Sequence, residues 1–268
     1  MSGSGNGHGG YDPAFFRQLE FVEDRHFWFR ARRRAVGAIL RQISATLPTG
    51  FHALELGCGN GGMLRLMQQS CIGGTVFGMD LFAEAIANAR QRVNVPLLQG
   101  DIRLPPFSQS LNLICMFDVL EHLDNDLAAL EHVHSMLVPG GVLMLTVPAH
   151  MMLWSYFDEA ANHVRRYAGP DLRRRLKAAG FTIEYQTQFM ASIYPLMWLG
   201  RRLNYHVQIG RRSRTRQFNP RELTENDFRI VPGLNGLIDW SLAGEENLIR
   251  RRRRITRGTS ILAVARRR

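Results

Sequence analysis

The chain has 268 residues, room for one ordinary domain or one domain with a large insertion, and 45% hydrophobic residues allow a sizeable core. A formal charge of +11 invites a nucleic-acid partner, but Lys177 is the only lysine, and so lopsided a choice of arginine suggests codon bias as much as phosphate contact. The excess is also uneven, with 14 arginines against 6 acids between Arg201 and Arg257.

Residues 1–10 are rich in Gly, Ser and Asn and lack the apolar stretch of a secretory signal, so they are expected to be a disordered lead-in. Residues 11–47 carry two helix-like stretches, including His26-Phe-Trp-Phe-Arg-Ala-Arg-Arg-Arg34, and form an expected helical cap. A core over 48–189 follows. Its expected strands are His52–Gly57, Thr75–Asp80, Pro96–Asp101, Leu111–Asp118, Gly141–Pro148 and Phe181–Phe189. Helical patterns at Gly62–Ser70, Phe82–Arg92, Leu127–Leu137 and Asp171–Ala179 alternate with them. Such alternation signals an α/β fold with a parallel sheet. Thr259–Ala265 reads as a seventh strand, so 190–257 becomes an insertion and 258–268 the last strand with a basic tail. The apolar run Phe189–Leu199 is well short of the ~20 residues that span a bilayer, which predicts a soluble or peripheral protein. Cys58, Cys71 and Cys115 show neither CxxC nor zinc-ligand spacing. They point to free thiols in the cytoplasm, and no metal cluster is visible in the spacing.

Gly57, Gly59 and Gly61 follow an apolar strand and open a helix, where the lack of Cβ lets the backbone approach a ligand. Gly57-Cys-Gly-Asn-Gly-Gly62 also satisfies the GxGxxG of a dinucleotide site. Three acids separate the two readings. Glu55 lies inside the first strand, Asp80 ends the second and Asp101 ends the third. Asp80 is placed to accept both hydroxyls of a ribose, and Asp101 to accept an exocyclic amine. Together they would repel a pyrophosphate and suit a ligand with a sulfonium, an ammonium and no phosphate.

With these motifs assembled, the stretch from about Phe51 to Phe189 resembles the class I S-adenosylmethionine-dependent methyltransferases. The resemblance rests on Glu55–Gly61, Gly78-Met-Asp-Leu81, Gly100-Asp-Ile102, Phe117-Asp-Val-Leu-Glu-His-Leu123 and Leu137-Val-Pro-Gly-Gly141. It implies a Rossmann-like, seven-stranded, mostly parallel sheet with helices on both faces and an antiparallel last strand. It implies that Gly57, Cys58 and Gly59 line the methionine moiety of S-adenosylmethionine, that Gly61 belongs to the same cofactor-binding loop, and that Glu55 supports the loop or reaches the amino group indirectly. Asp80 would hold the ribose, Leu81 would pack on the adenine, and Asp101 and Ile102 would take its amine and ring nitrogen. Phe117 or Val119 would sit near the sulfonium.

The flanks His26–Arg34 and His163-Val-Arg-Arg-Tyr167 resemble a bacterial subgroup acting on small molecules and lipid or saccharide intermediates. Trp28 and Arg33 are candidates to cover the cofactor and pair with its carboxylate, or else belong to an amphipathic helix packed on the sheet. His122 and His163 are the candidate bases, with Asp158 placed to orient His163 or bind substrate. A small-molecule or lipid-like acceptor is expected. The runners-up are a catalytically silent scaffold of the same fold and a nucleic-acid methyltransferase. The latter is disfavoured because Phe117-Asp-Val-Leu stands where an amino-base-binding Asn/Asp-Pro-Pro-Tyr motif would. Phe189–Leu199 with Arg201 and Arg202 reads as a substrate lid or as an interfacial segment on anionic membrane.

Overall fold

Period-two alternation with apolar residues on both faces is the mark of strands buried between two helical layers, and it organises the chain from His52 onward. The computed structural model of the chain describes residues 26–104, 106–211 and 234–268. The expected lead-in, the cap before residue 26 and the middle of the insertion lie outside the described residues. In chain order the elements are α1 (Phe27–Ser44), β1 (His52–Leu56), α2 (Gly62–Ser70), β2 (Thr75–Asp80), α3 (Ala83–Ala89), β3 (Leu97–Gln99) and β4 (Leu111–Phe117). They continue with α4 (Asp126–Met136), β5 (Leu137–Pro148), α5 (Tyr156–Ala160), α6 (Gly169–Ala178), β6 (Phe181–Phe189), α7 (Tyr194–Arg211), α8 (Leu234–Arg250) and β7 (Ser260–Arg267).

One seven-stranded sheet results, in the order β3-β2-β1-β4-β5-β7-β6. β1 to β5 pair in parallel, whereas β7 runs antiparallel to both β5 and β6, Ala263 lying opposite Leu145 on one side and Gln186 on the other. The last strand is thus the antiparallel one, as the family resemblance implied. The long segment before β7 lets it insert between β5 and β6 instead of closing a tight hairpin.

Alternation divides the core into two layers. Leu54, Leu56, Ile114 and Met116 pack with Leu130 and Val133 of α4 and with Leu172 and Leu176 of α6. Ala53, Leu113 and Cys115 face the opposite layer, where they join Val36, Ile39 and Leu40 of α1, Leu64 and Met67 of α2, and Leu242 and Ile249 of α8. α8 is held to α1 by a 2.6 Å hydrogen bond from Gln42 Nε2 to the Arg250 carbonyl. The Glu245 carboxylate accepts from the backbone N–H groups of Ala191 and Ser192, at 3.0 and 2.9 Å, tying α8 to the start of α7.

Some boundaries differ from the sequence reading for local reasons. β5 begins at Leu137, not Gly141, because Leu137 pairs with Leu111 directly after α4 ends. β3 shrinks to three residues, since Gly100 and Asp101 turn away into the loop that follows. The short α5 is started by a capping box between Ser155 and Asp158, which apolar periodicity does not reveal. Among the described residues, no helix is long and apolar enough to cross a membrane.

Candidate functional site

Strand order reverses between β1 and β4, and in an open α/β sheet such a reversal leaves a crevice at the carboxyl ends of the strands. Here that crevice is a cavity of about 1220 Å³, walled by the loops after β1, β2, β3 and β4 and roofed by α1, α5 and the start of α7.

The first wall is made of backbone. Gly57 has φ +72°, and a Cβ built there would lie 2.5 Å from Val119 Cγ2, so only glycine lets the loops after β1 and β4 meet. The N–H groups of Gly57 and Cys58 both donate to the Met79 carbonyl, at 2.8 and 3.0 Å. Gly59 N–H then donates to Asp80 Oδ2 at 2.8 Å, and Phe82 N–H to Oδ1 at 3.0 Å. The carboxylate is aimed by two backbone donors before any ligand arrives. Burial raises the Asp80 carboxyl above its ordinary pKa, opposed by its backbone hydrogen bonds from Phe82, Gly59 and Leu81. Leu81 and Ile102 add apolar surface, Asp101 sits between them in chain order, and Arg103 grips both Asp101 oxygens at 2.8 and 3.0 Å through Nε. Cys58 contributes a neutral thiol, pushed upward by burial and by the charges of Glu55 and Asp80.

The opposite wall is made of side chains. Asp118 ends β4 in left-handed backbone at φ 56°, accepting from Thr146 Oγ1 at 3.2 Å and pairing with Arg32 Nη2 at 2.7 Å. The Arg32 guanidinium lies 5.4 Å from the centre of the Trp28 ring. A single 3-10 turn, Leu120–His122, follows, and both Glu121 and His122 line the cavity. The His122 and His163 rings meet edge to face with centroids 4.8 Å apart. Asp158 Oδ1 is 2.9 Å from His163 Nδ1 and accepts from Arg166 Nε at 2.6 Å, while Oδ2 accepts from Ser155 N–H at 2.8 Å. Burial would raise the Asp158 carboxyl, but its bonds to His163 and Arg166 outweigh that and bring it to about 2. Burial, helped by neighbouring His163, lowers His122 to about 4 and leaves it a neutral imidazole. Burial and the Asp118 charge push Glu121 well above the usual carboxylate range, against the pull of Arg32 and Arg166.

The cavity brings together Trp28, Glu55, Gly57, Cys58, Gly59, Asp80, Leu81, Asp101, Ile102, Phe117, Val119, His122 and His163. Gly61 and Arg33 are not among them. Gly61 caps α2 at φ 81°, where an added Cβ would lie 3.2 Å from Ala89 Cβ of α3. Arg33 stands on another face of α1, in a groove with Arg30, Arg34, Arg41 and Arg65. One residue is a turn of about 100° on a helix, so it is Arg32 that faces the cavity. Sequence reasoning missed Arg32, Glu121 and Arg166. The available signal was an acid beside a histidine, Glu121-His122, in the segment leaving a strand.

A fold with a switch-point crevice, a left-handed glycine loop and a carboxylate at the end of β2 defines a nucleoside-binding α/β protein. The methyltransferase-domain family model matches residues 28–186, and the chain belongs to that family. It is 27% identical over 172 residues to a Mycolicibacterium smegmatis protein named as a probable S-adenosylmethionine-dependent methyltransferase, covering 63% of this chain and 64% of the relative. A trans-aconitate 2-methyltransferase of Acidovorax ebreus is 27% identical, with 53% of this chain and 51% of that protein covered. The chain therefore spans between half and two thirds of the length of these relatives. Among solved structures, Haemonchus contortus phosphoethanolamine N-methyltransferase 2, in complex with S-adenosyl-L-methionine, superposes with a TM-score of 0.59. It is 17% identical, and 96% of this chain and 57% of that chain are covered. A Mesorhizobium loti S-adenosylmethionine-dependent methyltransferase gives 0.52 at 18% identity, covering 84% and 96%. Both share the fold.

S-adenosylmethionine is the cofactor of this family site, and the residues present fit it. The glycine loop leaves no Cβ in the way, and the Asp80 carboxylate is pre-aimed for a diol.

Proposed function

We propose that the chain transfers the methyl group of S-adenosylmethionine to a small-molecule or lipid-like acceptor. The observation that carries this reading is the pre-oriented Asp80 beside the Gly57–Gly59 loop, opening into a cavity with room for a second ligand. Ligand pockets commonly measure about 300–1,000 Å³, and this one exceeds that range. When bound, the cofactor supplies a methyl carbon activated by a sulfonium. The chain's part is to hold that carbon in line with the acceptor, since positioning alone lowers such a barrier substantially. Asp80 fixes the nucleoside, Gly57 and Gly59 bring backbone against the methionine end, and Phe117 and Val119 exclude water beside it.

The remaining walls support an acceptor with an apolar body. Phe27, Trp28, Trp154, Phe157, Ile193 and Met197 line that side of the cavity. Relatives named for trans-aconitate, malonyl-[acyl-carrier protein] and 2-phytyl-1,4-naphtoquinone indicate that one core serves acceptors of different shapes. Ile193, just before α7, and Met197 within it line the cavity, whereas Leu196 and Leu199, near Arg202 in the chain, are 63% and 50% exposed. This split favours a cytoplasmic protein that touches anionic lipid at the inner face of the membrane while taking a lipid-like acceptor. Nucleic acid is not among the partners proposed.

Calorimetric titration with S-adenosylmethionine tests the first claim. Wild type should bind one equivalent, and Asp80→Ala should weaken binding at least tenfold, the scale of about 1.5–3 kcal/mol for hydrogen bonds to a charged group. No binding by wild type, or unchanged binding by the variant, sinks the reading. Flotation with phosphatidylglycerol vesicles tests the membrane part; a protein that stays at the bottom of the gradient with and without anionic lipid removes it.

A further inference from the structure

The residue with the least obvious business in this cavity is Glu121. It is fully buried, it lines the cavity, and neither carboxylate oxygen has a hydrogen-bond partner. His163 Nε2 stands 3.9 Å from Oε1, too far for a hydrogen bond. Buried acceptors are almost always satisfied, because stripping a carboxylate of water without replacement is costly. An acid left bare at the bottom of a ligand cavity calls for a partner that the protein itself does not provide.

Glu121, His122 and His163 each present one donor atom, and all three atoms lie within 4.8 Å of one another. Donors around a bound transition-metal ion stand about 3–4 Å apart, given metal–ligand bonds of about 2 Å. Small side-chain rotations would close the difference. A second feature lies behind the cluster. His163 uses Nδ1 toward Asp158 at 2.9 Å, and Asp158 is itself fixed by Arg166 and by the capping box of α5. A carboxylate behind an imidazole is the usual support of a metal-bound histidine, because it sets the tautomer and turns the other nitrogen to the ion.

We propose that Glu121, His122 and His163 bind one divalent first-row transition cation, and that this cation receives the oxygen atom of the methyl acceptor. Two imidazoles and one carboxylate suit Mn²⁺, Co²⁺ or Zn²⁺ better than Mg²⁺, which prefers oxygen ligands. Three protein ligands leave coordination positions open toward the cavity. The site sits in the turn directly after Phe117 and Val119, on the side where the methyl group is expected. An acceptor hydroxyl or carboxyl oxygen bound there gives up its proton to solvent more readily, since a cation lowers the pKa of a ligated O–H. Its lone pair then forms the new O–CH3 bond as the S–CH3 bond breaks, with that electron pair going to sulfur. The cation changes no oxidation state. The acceptor part of the inference rests on the methyl-transfer reading above; the cation site does not.

The test uses the full chain stripped of metal by chelator and dialysis, titrated calorimetrically with Mn²⁺, Zn²⁺ and Mg²⁺, and with Co²⁺ followed by its visible absorption. Wild type should take one equivalent of Mn²⁺, Zn²⁺ or Co²⁺, with Mg²⁺ at least tenfold weaker. Glu121→Gln, which preserves shape, should weaken binding at least tenfold and bleach the Co²⁺ bands. Asp158→Asn, acting through His163, should weaken it about 10- to 100-fold. Both variants should bind S-adenosylmethionine within threefold of wild type, which also reports that they are folded. Absence of stoichiometric cation binding by wild type, or undiminished binding by a folded Glu121→Gln, overturns the proposal. Cation binding without S-adenosylmethionine binding keeps the site and removes the methyl-transfer reading; the converse removes the site alone.

Discussion

The two ends of the cavity are built by different means. At the end formed by β1, β2 and β3, position is set by backbone: a left-handed glycine, two N–H groups on the Met79 carbonyl and two more on the Asp80 carboxylate. At the end formed by the turn after β4, position is set by side chains from distant segments. Arg32 comes from α1, Glu121 and His122 from the turn, and Asp158, His163 and Arg166 from α5 and the loop beyond it. A backbone-built wall can be inherited by any member of a family that uses one cofactor. A side-chain wall can be rebuilt residue by residue for a new acceptor.

The contrast makes an unequal prediction about stability. Asp158 is fully buried and carries both His163 and the buried Arg166. Asp158→Ala should cost about 3–5 kcal/mol, because it strands a buried guanidinium without its counter-charge. Urea unfolding of wild type and variant measures this directly. A loss under 1 kcal/mol would mean that the side-chain wall is not held by its side chains, and the comparison would fail at its stronger end.

How much of this was legible in the sequence follows the same division. The donor wall lies in short contiguous motifs, so Gly57, Gly59, Asp80 and Asp101 could be picked out by spacing alone, as could most strands from their alternation. The side-chain wall depends on which way side chains point across long separations. His122, His163 and Asp158 stand out as residue types, whereas Glu121 carries only the weak signal of an acid beside a histidine after a strand, and its burial is what sets it apart. Arg32 and Arg33 could not be separated because Phe27-Trp-Phe and the arginines around them define no unique helical face. Gly61 was grouped with the loop because glycine spacing does not reveal that α3 leaves it no room.

At the donor wall the sensitive point is the glycine that touches the other wall. Gly57→Ala must hold a side chain at φ +72° and push Val119 away, at a cost of about 2–3 kcal/mol, and should also weaken S-adenosylmethionine binding. Val119→Ala, which removes the clashing methyl, should recover part of that loss in the double variant. Calorimetry and urea unfolding over the four proteins give the coupling. Strict additivity would show that the strain is confined to the backbone and that the two loops are not packed as the geometry implies.

The smallest expected effect discriminates most finely, because it turns on a single step of α1. Arg32 is largely buried and pairs with Asp118, itself anchored to Thr146 of β5, so Arg32→Ala leaves a half-sheltered carboxylate without its cation. A loss of about 1–2 kcal/mol is expected, the scale of an unsatisfied charged hydrogen bond at a partly wet site. Arg33→Ala removes a side chain from the arginine groove outside the cavity and should stay within about 0.5 kcal/mol of wild type. Its S-adenosylmethionine affinity should stay within threefold, since its side chain lies in that groove and not among the cavity-lining residues. If instead Arg33→Ala abolished cofactor binding and Arg32→Ala did not, the helix would present the opposite face to the ligand. The arginine that pairs with the cofactor carboxylate would then be the one the sequence pattern favours, and the side-chain wall would have to be rebuilt around it.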